Sequence, residues 1–171
     1  MMMSNGLPLP VREGTWLVYK RTLPTSQRPG AITKDIQTYF EALGYTQTHT
    51  TPTLIFERGH WLKGLYSPNP ASQKMRVLVD VLSSSEHETL IEVRLRVNTW
   101  GSFSFNTDHE FRLSELEGLH LMVAYGYLDI ERSRYAADRA KWFSISVALA
   151  GIAILSGVIA GLVLLLTGVI L

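Results

Sequence analysis

The chain has 171 residues, a formal net charge of +1 from 16 basic and 15 acidic side chains, and no cysteine. That balance gives no electrostatic footprint for nucleic acid, whose binders carry a clear basic excess. The lack of cysteine excludes disulfides, thiolate metal sites and a cysteine nucleophile.

Residues 1–14 (MMMSNGLPLPVREG) hold two prolines and no basic-then-apolar order, so they read as a disordered arm and not as a secretory signal. An α+β domain is expected over 15–128. The run from Thr15 to Leu23 (TWLVYKRTL) is β-branched and aromatic and ends at Pro24, which fits a first strand. After a turn at PTSQRPG, a helix is predicted from Ala31 to Leu43, with Ile32, Ile36, Tyr39, Phe40 and Leu43 at helical spacing and Gly44 as its stop. The following TQTHTTP reads as a polar linker, and Thr53 to Arg58 as a second strand. Gly59 then opens a long connection whose Pro68-Asn69-Pro70 cannot lie in a central strand.

The strongest β signal comes next. Met75, Val77, Val79 and Val81 alternate along one segment, and Ile91, Val93, Leu95 and Val97 along another, which predicts an antiparallel pair around the turn SSSEHE. Arg76, Arg94 and Arg96 then share the wet face with Asp80 and Glu92, where cross-strand ion pairs are expected. The competing use of that face is contact with anionic lipid or an acidic partner. Past the loop NTWGSFSFN, a second helix starts at Thr107 or Asp108, with Thr107 and Glu110 in the form of a capping box. Its apolar stripe is Phe111, Leu113, Leu116, Leu119, Val123, Tyr127 and Ile130. The domain is thus expected as an antiparallel sheet of about four strands, in the order β-α-β-β-β-α, with both helices on one face.

Residues 129–141 (DIERSRYAADRAK) form a basic juxtamembrane helix, and nothing in them breaks it. The second helix, this segment and the apolar C-terminal stretch are therefore expected as nearly one rod. From Trp142 to Leu171 no residue is charged, which is a transmembrane signature. About thirty residues make about 45 Å of helix, long enough for one tilted span, whereas a hairpin folded at Ser156-Gly157 would be re-entrant only. Arg132, Arg134, Arg139 and Lys141 flank the N-terminal side, and Trp142 sits where an interfacial aromatic belongs. The positive-inside rule then puts the N-terminal domain on the cytoplasmic (or stromal-equivalent) side, as a tail-anchored, single-pass integral membrane protein. Small residues at Ala150, Ala153, Gly157, Gly161 and Gly168 fall near one helical face that includes a G-x-x-x-G, a device for close helix packing in lipid.

Chemistry-bearing motifs are sparse. Glu117 and His120 make one Glu-x-x-His, half of the pattern that di-iron bundles use twice. There is no nucleophile elbow, phosphate loop or dinucleotide turn, so no catalytic, metal or cofactor residue is assigned. Aromatics gather in two connections, Trp61 and Tyr66 in one and Trp100, Phe103 and Phe105 in the other, as candidates for partner contact. The sequence reading is a non-catalytic accessory subunit or assembly factor of a larger membrane complex. Its partners would be the lipid bilayer and a membrane protein, or a second copy through the anchor. The alternative is a membrane-tethered ligand-binding or enzymatic domain with a cleft between the sheet and the second helix.

Overall fold

Alternating apolar residues force a two-faced sheet, and the computed structural model, which describes residues 9–60, 62, 67, 69–85, 88–100 and 106–166, has one of six antiparallel strands. The elements are β1 (Val11–Glu13), β2 (Trp16–Thr25), α1 (Pro29–Ala42), β3 (Thr46–His49), β4 (Leu54–Arg58), a 3-10 turn (Pro70–Ser72), β5 (Met75–Ser84), β6 (Thr89–Asn98), α2 (Asn106–Tyr125) and α3 (Glu131–Leu166). The strand order is β1-β2-β6-β5-β4-β3. Val77 lies opposite Leu95, and Val79 opposite Val93. On the other side of β6, Tyr19 faces Leu95 and Leu23 faces Ile91. All of these are buried beneath α1 and α2, which cover one face together. Each such aliphatic side chain contributes about 1.5–3 kcal/mol when fully buried.

The opposite face carries the charges, paired across strands as their spacing predicts. Lys20 meets Glu92 at 2.7 Å, Arg76 meets Glu57 at 2.5 Å, Arg96 meets Glu13 at 3.4 Å, and Arg94 pairs with Asp80. Among the described residues these cations are each matched by a carboxylate, which leaves the four pairs with no excess positive charge.

Two strands exceed the expected four. The supposed linker Thr46–His49 is β3, an edge strand that pairs with β4 through Thr46 opposite Glu57. Its side chains are almost all exposed, so backbone hydrogen bonding holds it and no apolar alternation announces it. Val11–Glu13, within the stretch read as a disordered arm, is β1, and Val11 lies opposite Val18. β2 also runs on through Pro24 to Thr25. β1 accompanies it only as far as Val18, so Pro24 sits on an open edge where a missing N–H costs no ladder bond.

The helices end by backbone devices. Past α1, Gly44 (φ 83°) donates to Glu41 O at 2.9 Å and Tyr45 donates to Phe40 O at 2.9 Å, the two bonds of a Schellman motif. The accompanying apolar contact is the Phe40–Tyr45 ring pair, 5.3 Å between centroids. α2 stops where Gly126 (φ 67°) donates to Met122 O at 2.8 Å. The expected rod is broken there. After Asp129 Oδ1 accepts from Arg132 N at 3.2 Å, α3 turns back antiparallel along α2, and Arg139 reaches Glu110 at 3.1 Å. The expected capping box does not form either, since α2 begins at Asn106 and the Thr107 hydroxyl makes no hydrogen bond.

Docking buries Ser133 and Ala140 and half-buries Ala136 and Ala137. A Cβ on Gly118 would lie 2.5 Å from Tyr39 Oη of α1 and 3.1 Å from Asp129 O in the connection before α3, so both approach α2 closely only over glycine. Beyond Ala140, α3 leaves the domain and continues unbroken through Ser156-Gly157, which replaces the re-entrant alternative with one continuous helix. It is the one helix among the described residues long and apolar enough to cross a membrane, and none of its apolar window is buried in the fold.

Candidate functional site

α2 packs on the sheet with a stripe that is not purely apolar. Asp108, Arg112 and Glu115 fall at i, i+4 and i+7 on the buried side, beside Phe111 and Leu119. A buried charge must find a partner or cost several kcal/mol, and polar clusters along α2 answer that demand.

Under the middle of α2, the last residue of β4 reaches inward. Arg58 donates to Glu115 Oε1 at 2.7 Å and to Leu43 O at 2.7 Å, and its guanidinium lies 4.2 Å from the centre of the Tyr45 ring. Glu115 Oε2 accepts from the Tyr45 hydroxyl at 2.9 Å, while Glu115 O accepts from Tyr39 at 2.6 Å. Burial works against the Arg58 charge, yet Glu115 and Tyr45 beside it hold the guanidinium above its ordinary range. Burial pushes the Tyr39 and Tyr45 hydroxyls well above the usual tyrosine range, with Glu115 adding to it in both. The two tyrosine hydroxyls stay protonated near neutrality, and the carboxylate, both hydroxyls and two guanidinium nitrogens are already hydrogen-bonded, while Arg58 Nε is buried without a partner. That is the profile of an internal brace and not of an acid–base pair.

Nearer the start of α2, the fully buried Arg112 donates to Gln73 Oε1 at 2.6 Å and to the Tyr19 hydroxyl at 3.5 Å. The Tyr19 hydroxyl also lies 3.0 Å from His109 Nδ1. Burial, and then Arg112, lower the His109 pKa. Further along, Arg21 of β2 lies 3.4 Å from Glu117 and 3.0 Å from His120 Nδ1. The Glu-x-x-His half-motif therefore clasps a guanidinium. Among the described residues no group of three His, Asp or Glu side chains is placed to hold a metal ion.

Of the predicted contact residues, Trp100 is 58% exposed, directly after β6. Trp61, Tyr66, Phe103 and Phe105 lie outside the described residues. At the expected interface, Arg132 and Arg134 are exposed, Arg139 is held by Glu110, and Lys141 lies 6.0 Å from the Trp142 ring centre. On the anchor, Ala150, Ala153 and Gly157 are exposed, and Gly157 and Gly161 have open space where a Cβ would stand. Gly168 lies outside the described residues. A groove of about 330 Å³ runs between α2 and α3, lined by Glu110, Leu113, Glu117, Arg132, Tyr135 and Arg139. Sequence reading missed the buried polar stripe. Its signal was the repeat of Asp108, Arg112 and Glu115 in register with Leu119 and Met122.

The fold and this interior define an α+β domain carried on one long apolar helix. No family model matches the chain, and no curated protein matches it. Among solved structures, that of a conserved protein of unknown function from Enterococcus faecalis, EF2215, is similar with a TM-score of 0.44 at 9% identity, covering 77% of this chain and 88% of that one. So low a similarity carries no argument about function.

Proposed function

We propose that the chain is a single-pass membrane protein whose domain works without catalysis, as an accessory subunit or assembly factor of a larger membrane protein complex. The observation that carries this reading is the filled interior. A ligand-binding or enzymatic cleft between the sheet and α2 would need the space that Tyr39, Tyr45, Arg58 and Glu115 fill, the first three each hydrogen-bonded to Glu115. Support also comes from α3, whose small residues at Ala150, Ala153, Gly157 and Gly161 leave a shallow face with nothing of this chain against Gly157 or Gly161. In lipid, helix association depends on such close approach, because no hydrophobic effect drives it. The bases Arg132, Arg134, Arg139 and Lys141 favour a cytoplasmic or equivalent location for the domain. The test is cross-linking and affinity capture of the full chain from gently solubilised membranes. A membrane protein, or a second copy, at fixed stoichiometry is expected, and recovery of the chain alone as a monomer overturns the proposal.

A further inference from the structure

The direction of each element relative to α3 fixes which end of the domain faces the bilayer. β2 runs alongside α2 in the same sense: the Tyr19 hydroxyl lies 3.0 Å from His109 Nδ1, Arg21 donates to Leu116 O at 3.5 Å, and Thr25 Oγ1 donates to Val123 O at 3.2 Å. The Trp16 end of the sheet is therefore the Asn106 end of α2. At that same end β6 finishes, with Asn98 opposite Trp16, β5 begins, with Met75 opposite Val97, and Thr99 N donates to Thr15 O at 2.8 Å.

α3 runs the other way, toward this end. Arg139 is level with Glu110, at 3.1 Å. Four residues on from Arg139 is Phe143, and four residues back from Glu110 is Asn106, each a further step of about 6 Å in the same direction. α2 thus starts level with Trp142 and Phe143, which are 64% and 44% exposed and stand at the mouth of the apolar span. The connections 59–74 and 99–105 both begin and end on this side. Their base is tight: His60 N donates to Ser72 O at 3.1 Å, and a Cβ on Gly59 (φ 77°) would lie 1.9 Å from Gln73 O. The 3-10 turn Pro70–Ser72 packs against α3 itself. Exposed here are Trp100 at 58% and Leu62 at 42%.

We infer that this end of the domain is a second contact with the lipid bilayer, with Trp100 and Leu62 seated in the headgroup region beside the point where α3 enters. An indole suits that layer, having an apolar body and a polar N–H. The inference rests on α3 spanning the bilayer. It does not depend on which side the domain occupies, because the geometry is fixed within the chain. It assigns Trp100 to lipid rather than to a protein partner.

The test uses the full chain reconstituted in phosphatidylcholine vesicles whose acyl chains carry bromine near the headgroup. Three variants each keep one tryptophan. The first keeps Trp100, with Trp16, Trp61 and Trp142 changed to Phe. The second keeps Trp142 in the same way. The third changes all four to Phe and adds Tyr127→Trp at the far end of α2, about 30 Å away. Blue-shifted, quenched emission is expected for the first two, and unquenched emission for the third. Quenching of Trp142 without Trp100 overturns the inference and leaves the span intact, the result expected if a protein or solvent covers that loop. Quenching of neither overturns both. Because the chain has no cysteine, Trp100→Cys with a nitroxide label gives a second readout that keeps the other tryptophans. Greater collision with oxygen than with a water-soluble nickel complex is expected, and the reverse order overturns the contact.

Discussion

Arg58 and Glu115, 57 positions apart in sequence, meet at 2.7 Å in the interior with their side chains 12% and 2% exposed. The pair joins the end of β4 to the middle of α2. Removing one partner of a buried ion pair costs about 3–5 kcal/mol, because the other is left charged and unmatched. Glu115→Leu should therefore lower the denaturant midpoint of the full chain in micelles severely. Arg58→Met combined with Glu115→Leu should recover part of the loss, since no lone charge remains. Equal loss in single and double variants would refute the brace.

The register of β6 makes a second, opposite-signed comparison. Val93 is buried against Val79, whereas Arg94 lies on the open face beside Asp80. Val93→Glu should cost several kcal/mol as an unpaired buried charge. Arg94→Gln should cost about 0.2–1 kcal/mol, the worth of an exposed pair. Thermal melts giving the reverse order would contradict the pairing.

Gly157 and Gly161 distinguish a docking helix from a tether. The double change to leucine leaves hydrophobicity intact, so the protein should still fractionate with membranes. It should lose co-migration with its partner, or with itself, on native gels, because leucine holds helices apart. Leucine at Val158 and Ile159 is the control and should change nothing. An intact complex in the glycine variant would remove the anchor from the docking role.

Mild acid should loosen the packing of α2 on β2. His120 Nδ1 accepts from Arg21 at 3.0 Å, so a proton there breaks the bond and sets two cations together. Burial, and then Arg21, hold the His120 pKa below its ordinary 6.5, and burial, and then Arg112, do the same to His109. With the folded value depressed, the unfolded chain takes up protons first, so stability is full above about 6.5 and declines as pH falls below it. Unfolding midpoints between pH 7.5 and 5 should fall, and less steeply in His120→Gln. A flat profile in both proteins would dismiss these histidines.

How much was legible depended on whether side chains or the backbone did the holding. β5, β6, α1 and the apolar helix declare themselves because apolar periodicity is what buries them. β3 and β1 do not, for edge strands such as Thr46–His49 are held by hydrogen bonds to a neighbour that the local sequence does not contain. The break at Gly126 was visible only as a glycine within a long periodic stretch, and the close approach that the returning chain makes, Asp129 against Gly118, involves residues whose contact no local pattern announces. Arg112 and Glu115 look like surface charges until their partners, Gln73 and Arg58, arrive from other elements.

One helix is both the last layer of the domain and the apolar span, with no swivel between the two roles. The domain's attitude is therefore geared to the anchor: whatever leans the membrane segment leans the whole body. A 20° change of tilt, as a thinner bilayer can impose, would carry the far end of α2 at Gly126, about 30 Å out, through roughly 10 Å. With the helix spanning a bilayer, a body so mounted would shift its outer surface laterally as bilayer thickness changed.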